Sequence, residues 1–219
     1  VDREIKSLMV TSSTSQAGKS TVAWNLARVA AKSSSVVLLE TDLRNPSVAR
    51  NHADLSGPGL AQVLTHQADL SDATQVLPLE YGSDGEGVDI PALSVVTAGS
   101  VPPNPAELIE SQAMTEVLQA LRERFDFVVV DTAPIGVVSD SFPLMSQVDG
   151  VVVVARMDKT TRDSARDIRE QLTRLEAPVL GVIANGNKSG GRGKYGYGYG
   201  YYGKRPDGDG NSDETPEKA

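Results

Sequence analysis

Short apolar, β-branched runs alternate along the chain with stretches whose apolar residues recur at helical spacing. Leu8 to Val10, Val36 to Leu39, Phe127 to Val130, Val151 to Ala155 and Val179 to Ala184 read as strands. Their apolar runs are continuous rather than alternating, as in a sheet covered on both faces. Between them, helical patterns run from about Lys19 to Lys32, Ala106 to Arg124, Ser139 to Gln147 and Arg162 to Leu175. The segment from Ser56 to about Thr74 predicts short helices, with Leu60, Val63 and Leu64 on one face. Gln75 to Leu79 and Leu93 to Thr97 predict a strand pair around the polar turn Gly82 to Gly87, which is expected to be mobile. The whole pattern predicts an α/β fold, a mostly parallel sheet with helices on both faces.

The polar residues that end these strands carry the chemistry. After the first run comes Thr11-Ser12-Ser13-Thr14-Ser15-Gln16-Ala17-Gly18-Lys19-Ser20-Thr21, a loop of small residues leading into a helix. Such a loop turns successive backbone N–H groups toward phosphate oxygens, and the helix adds the positive end of its dipole. Ser15 through Thr21 would wrap the phosphates, with Lys19 reaching the outer ones and the Ser20 hydroxyl on Mg²⁺. The strict phosphate-loop pattern is missed at one residue, since Ser13 stands where its first glycine belongs. The second strand ends in Glu40-Thr41-Asp42-Leu43-Arg44-Asn45-Pro46, and the Val-rich strand after Phe127 ends in Asp131. Residues two apart in an extended chain share a side, so Glu40 and Asp42 are expected to face one Mg²⁺ or one attacking hydroxyl. Asp131 matches the strand-end carboxylate that supports the metal in phosphate-loop enzymes. Ligands of open α/β sheets bind at this carboxyl edge.

Composition changes the picture mainly at the end of the chain. Of 219 residues, ten of the twenty glycines and five of the six tyrosines fall between Gly186 and Gly210. Residues 1–186 are therefore read as the folded domain and 187–219 as a flexible tail, too poor in buriable surface to offset its ordering entropy. Five basic residues and no acid accompany Tyr195, Tyr197, Tyr199, Tyr201 and Tyr202, and five acids follow from Asp207 to Glu217. A formal net charge of −8 leaves no broad basic surface, so nucleic acid is not expected as a partner. Cysteine is absent, which excludes disulfides and thiol chemistry and fits an intracellular compartment. The chain opens abruptly at Val1, close to its first strand, and is expected to be part of something longer.

These motifs in this order resemble the cytoplasmic domain of bacterial tyrosine kinases. The resemblance is carried by Thr11 to Thr21, Leu38 to Pro46, the turn Pro102-Pro103-Asn104-Pro105 with Ala106-Glu107-Leu108, Phe125 to Pro134, and the terminal tyrosines. It implies a P-loop NTPase fold that moves the ATP γ-phosphoryl group onto tyrosine, with ATP and Mg²⁺ as cofactors. By that likeness Lys19 and Ser20 handle phosphates and metal, Asp131 supports the metal, and Asp42 coordinates it or orients the tyrosine hydroxyl. Glu40 stands where the family usually has Asp, and Ser15 where it often has Pro. Asn185 resembles the residue that reads adenine, although an asparagine there also suits a turn. The likeness further implies autophosphorylation of the tyrosine cluster by a neighbouring subunit of a ring, and a transmembrane activator of the polysaccharide co-polymerase type. A resetting tyrosine phosphatase, a role in exopolysaccharide or capsule synthesis and a place at the inner face of the cell membrane complete the set. The family's upstream helix of acidic and arginine residues has no counterpart before Val1, so this stretch alone is expected to be monomeric and weakly active.

Two other functions fit parts of the pattern. Partitioning and septum-placement ATPases share the fold but carry an extra lysine early in the phosphate loop, where this chain has Thr14. A nucleotide-dependent assembly scaffold would need the loop without the phosphoryl transfer. The catalytic base stays open among Asp42, Glu40 and Asp131.

Overall fold

The computed structural model describes residues 4–52, 54–79 and 91–186. These belong to one unit, Val1–Asn187. The turn Gly82 to Gly87 and the tail with its tyrosines lie outside the described residues.

The described strands are β1 (Ser7–Ser12), β2 (Val36–Glu40), β3 (Thr74–Pro78), β4 (Ala92–Val96), β5 (Phe127–Asp131), β6 (Gly150–Arg156) and β7 (Val179–Asn185). They form one sheet in the order β3-β4-β2-β5-β1-β6-β7. Only β3 runs antiparallel, paired with β4; the other pairings are parallel. Alternate residues feed two cores. Met9, Val37, Leu39, Val128 and Val130 face one helical layer, while Val10, Leu38, Val129 and Val154 face Ala23 and Ala27 on the other side. Sheet alternation thus explains the uninterrupted apolar runs of β1, β2, β5 and β6, since both directions lead into a core, whereas the run of the edge strand β7 departs from that expectation and leaves Val179, Leu180, Val182 and Ile183 exposed.

The helices are α1 (Lys19–Ala30), α2 (Val48–Asn51), α3 (Leu60–Leu64), α4 (Leu70–Ala73), α5 (Pro105–Glu110), α6 (Gln112–Arg124), α7 (Phe142–Met145) and α8 (Arg162–Arg174). Two expectations need correction here. The single helix from Ala106 to Arg124 is broken at Ser111, whose hydroxyl donates to Leu108 O at 2.7 Å and accepts from Met114 N at 3.2 Å. One serine therefore closes α5 and caps α6. The helix drawn from Ser139 to Gln147 shrinks to α7, with Pro143 in its first turn, where a missing N–H is tolerated.

β1 outruns its apolar segment by two polar residues. Thr11 Oγ1 donates to Ala133 O at 3.2 Å and Ser12 Oγ to Thr14 O at 2.8 Å, so both hydroxyls are satisfied inside the fold. The order β2-β5-β1 is what builds the site. It sets the carboxyl ends of three strands side by side, with Val10 and Glu40 each in register with Asp131.

Candidate active site

The phosphate loop leaves β1 and enters α1 through two left-handed residues, Gln16 at φ 59° and Gly18 at φ 93°. A Cβ on Gly18 would lie 2.1 Å from Asn185 Nδ2 and push that side chain aside, while the left-handed backbone itself favours glycine. The loop is braced from outside. Asn185 Nδ2 donates to Ala17 O at 2.9 Å, Arg156 Nη1 to Gln16 O at 3.2 Å, and Lys159 Nζ to Gln16 Oε1 at 2.8 Å. Gly136 packs so closely that a Cβ there would meet Ser13 O at 2.1 Å. Ser15 and Thr21 are exposed, while Ser20 is half-buried at the head of α1.

Lys19 Nζ reaches across to Asp42 Oδ2 at 3.2 Å. The other Asp42 oxygen accepts the Asn45 N–H at 3.0 Å. Arg44 makes a two-pronged pair with buried Asp140, through Nε to Oδ2 and Nη2 to Oδ1, the latter at 3.1 Å. That pair ties the segment after β2 to the segment after β5. Beside Asp42, the Thr41 N–H and hydroxyl both donate to Asp131 O, at 2.8 and 3.0 Å.

Asp131 is fully buried, and neither carboxylate oxygen has a hydrogen-bond partner among the described residues. Burial pushes its pKa up to about 7, against the pull of Lys19 and of the Ser20 hydroxyl, which lies near without completing a hydrogen bond. A carboxylate left this way inside a protein costs free energy unless a cation or donor arrives. The donor set fits a hard, oxygen-seeking ion such as Mg²⁺, with Ser20, Asp42 and Asp131 to hold it. Among the described residues no group of three or more His, Cys, Asp or Glu forms a ready cage.

The expected common face of Glu40 and Asp42 is arranged differently. Glu40 is fully buried, and its Oε1 accepts the N–H groups of Ser47 at 2.5 Å and Val48 at 2.8 Å. Its Oε2 accepts the Ala98 N–H at 3.0 Å. Its carboxylate is therefore held by backbone, while that of Asp42 meets Lys19. Asn185, whose Oδ1 also accepts the Gly186 N–H at 2.8 Å, sits against the phosphate loop through Ala17. Sequence reading missed Arg156, Lys159, Gly136 and the Arg44–Asp140 pair. The first two do fall at the carboxyl end of a buried strand, the edge where binding residues are sought.

A phosphate loop with its lysine and two aspartates at strand ends, one of them the buried cation-seeking Asp131, define a nucleotide-phosphate site. Comparison with known proteins agrees. The ParA family model, described as NUBPL iron-transfer P-loop NTPase, matches residues 4–190. Tyrosine-protein kinase YwqD of Bacillus subtilis is 37% identical over 196 residues, covering 89% of this chain and 78% of the relative. The kinase domain of the Escherichia coli tyrosine kinase ETK superposes with a TM-score of 0.74 at 30% identity, over 90% of this chain and 74% of that one. The septum site-determining protein MinD of Pyrococcus horikoshii, at 20% identity and a TM-score of 0.62 over 82% of this chain and 69% of that one, shares the fold. The chain belongs to the ParA-type P-loop NTPases and, within them, to the bacterial tyrosine kinases. Its activity is that of a protein-tyrosine kinase.

Proposed function

We propose that this kinase phosphorylates its own C-terminal tyrosines, Tyr195, Tyr197, Tyr199, Tyr201 and Tyr202, in trans between subunits, and thereby regulates exopolysaccharide or capsule synthesis. The observation that carries the site assignment is the buried, unpartnered carboxylate of Asp131 beside the Lys19–Asp42 pair. ATP would lie with its phosphates on Ser15 to Thr21 and its base toward Asn185. Mg²⁺, when bound, offsets charge on the β- and γ-phosphates, and Ser20, Asp42 and Asp131 are the residues to hold it.

In the transfer, a tyrosine oxygen bonds to the γ-phosphorus as the bond to the β-bridging oxygen breaks and ADP leaves. The phenolic proton passes to a carboxylate, for which Asp42 is suited by its place opposite Lys19. Lys19 balances charge on the outer phosphates, having let go of Asp42. The base needs little strength, because phosphoryl transfer is governed by positioning and charge.

Each added phosphate brings about −1.5 to −2 charges. Five would reverse the sign of the basic stretch Lys188 to Arg205, which supports a switch in subunit assembly. Among the described residues no helix is long and apolar enough to cross a membrane. The likeness to bacterial tyrosine kinases supports a place at the inner face of the cell membrane through a transmembrane activator, with a tyrosine phosphatase resetting the chain. The test mixes a Lys19→Met chain carrying intact tyrosines with an active chain whose five tail tyrosines are Phe, plus MgATP and activator. Phosphotyrosine on the Lys19→Met chain supports transfer in trans; its absence, with wild type labelled, refutes it.

A further inference from the structure

We propose that Glu40 is a positioning residue whose buried carboxylate, by gathering the N–H groups of Ser47, Val48 and Ala98, closes the loop that carries Asp42. The inference rests on the reading of Asp42 and Asp131 as the groups that face MgATP.

The chain leaves β2 at Glu40 and comes back to the same side chain seven and eight residues later. Asp42 and Arg44 lie inside that closed loop, and Ala98, just past β4, adds a third tie from a neighbouring strand. Three donors on two oxygens make charge-assisted bonds, stronger than neutral ones, and they satisfy an anion with no exposed surface. Both Glu40 oxygens accept from backbone, and Lys19 pairs with Asp42 instead. One more methylene than Asp gives Glu the length to span both loop ends and Ala98. Lost acceptors would orphan three backbone N–H groups in the interior and free the loop to shift. Asp42 would then be misplaced although its own side chain is intact, and small misplacements of reacting groups carry large rate costs.

The experiment compares wild type, Glu40→Gln and Glu40→Asp by amide hydrogen exchange and by Mg²⁺ titration of nucleotide binding, with a fluorescent ADP analogue as probe. In Glu40→Gln, whose one amide oxygen can still accept from Ser47 and Val48, the amide of Ala98 is expected to exchange at least about tenfold faster. The Mg²⁺ midpoint should rise about tenfold, while metal-free nucleotide affinity stays within about twofold because the phosphate loop is untouched. Glu40→Asp, which keeps the charge but is one methylene too short to span both loop ends and Ala98, should recover only part of the Mg²⁺ response. Unchanged protection at the Ala98 amide in Glu40→Gln would overturn the proposal, because a group serving as base does not guard it. A midpoint unchanged in the folded variant would reduce Glu40 to a stabilising role and overturn it equally. Should Glu40→Gln not fold, Glu40→Asp is judged alone: normal protection with an altered midpoint is the refuting result. None of these readouts requires phosphoryl transfer, so a missing kinase activity would count against the proposed function and leave this inference standing.

Discussion

Lys19 Nζ stands 3.2 Å from Asp42 Oδ2, joining the phosphate-loop helix to the segment after β2. Both side chains are largely buried, so the pair is shielded from screening more than a surface bridge would be. Nucleotide must take Lys19 from Asp42. Asp42→Asn should therefore bind metal-free ADP as well as wild type or up to about threefold tighter, while MgATP-dependent tyrosine phosphorylation falls by about 100-fold or more. Titration calorimetry with and without Mg²⁺, beside phosphotyrosine detection, checks both halves. Equal losses in metal-free and metal-dependent binding would show that Asp42 merely supports the loop.

Asp131 predicts an unusual pH dependence. Its folded pKa of about 7 lies above the ordinary carboxyl value of 3.8, so the folded state favours the protonated form. Stability of the nucleotide-free, metal-free protein from this group is greatest near the ordinary value and is lost as pH rises toward 7, after which it levels. Asp131→Asn removes that cost. The variant should be more stable than wild type at pH 8, by at most about 4 kcal/mol, and its advantage should shrink toward pH 4. Urea unfolding in EDTA across that range measures it; a difference independent of pH would contradict the assignment.

Asp149 predicts the opposite sign at the other end of the sheet. Burial alone would raise its pKa, but the Ser7 hydroxyl, the Arg122 guanidinium and the Lys6 and Ser7 amides outweigh it and hold the carboxyl below its usual range. Its contribution is present above about pH 4 and is lost as pH falls through the lowered folded pKa. Asp149→Ala should cost about 2 kcal/mol at pH 7 and progressively less in acid. It should leave the MgATP dependence of phosphorylation unchanged, since Asp149 binds Lys6 and Ser7 at the start of β1, while the phosphate loop follows its end.

Gly136 supplies a steric prediction. A methyl group there would sit 2.1 Å from Ser13 O, a backbone atom that can yield only by moving the phosphate loop. Gly136→Ala should weaken nucleotide binding by about tenfold or more while α1 and the central strands stay folded. Unaltered ADP affinity would show that the segment after β5, not the loop, gives way.

Much of this architecture was legible because its central strands are covered on both faces, although the edge strand β7 is largely exposed. Continuous Val and Leu runs can be recognised without neighbours, and the acids that end them mark the binding edge. The helix break at Ser111 was not legible, because a serine inside an amphipathic pattern looks solvent-facing until its hydroxyl is seen to cap the next turn. Glu40 shows a deeper limit. Spacing of two predicts a shared side for Glu40 and Asp42, but the partners of Glu40 are Ser47, Val48 and Ala98, backbone groups that no side-chain pattern announces. The braces Arg156 and Lys159 lie some 140 residues from Gln16 in sequence, and only the β1–β6 pairing brings them together.

The central claim is that this chain's own phosphate loop drives phosphorylation of its own tyrosine cluster. Mass spectrometry of wild type and Lys19→Met, each incubated with MgATP and the activator, tests it most directly. The account predicts phosphate on residues among Tyr195, Tyr197, Tyr199, Tyr201 and Tyr202 in wild type and none in Lys19→Met. Equal phosphorylation of both, or none in a wild type shown to bind MgATP, would contradict it.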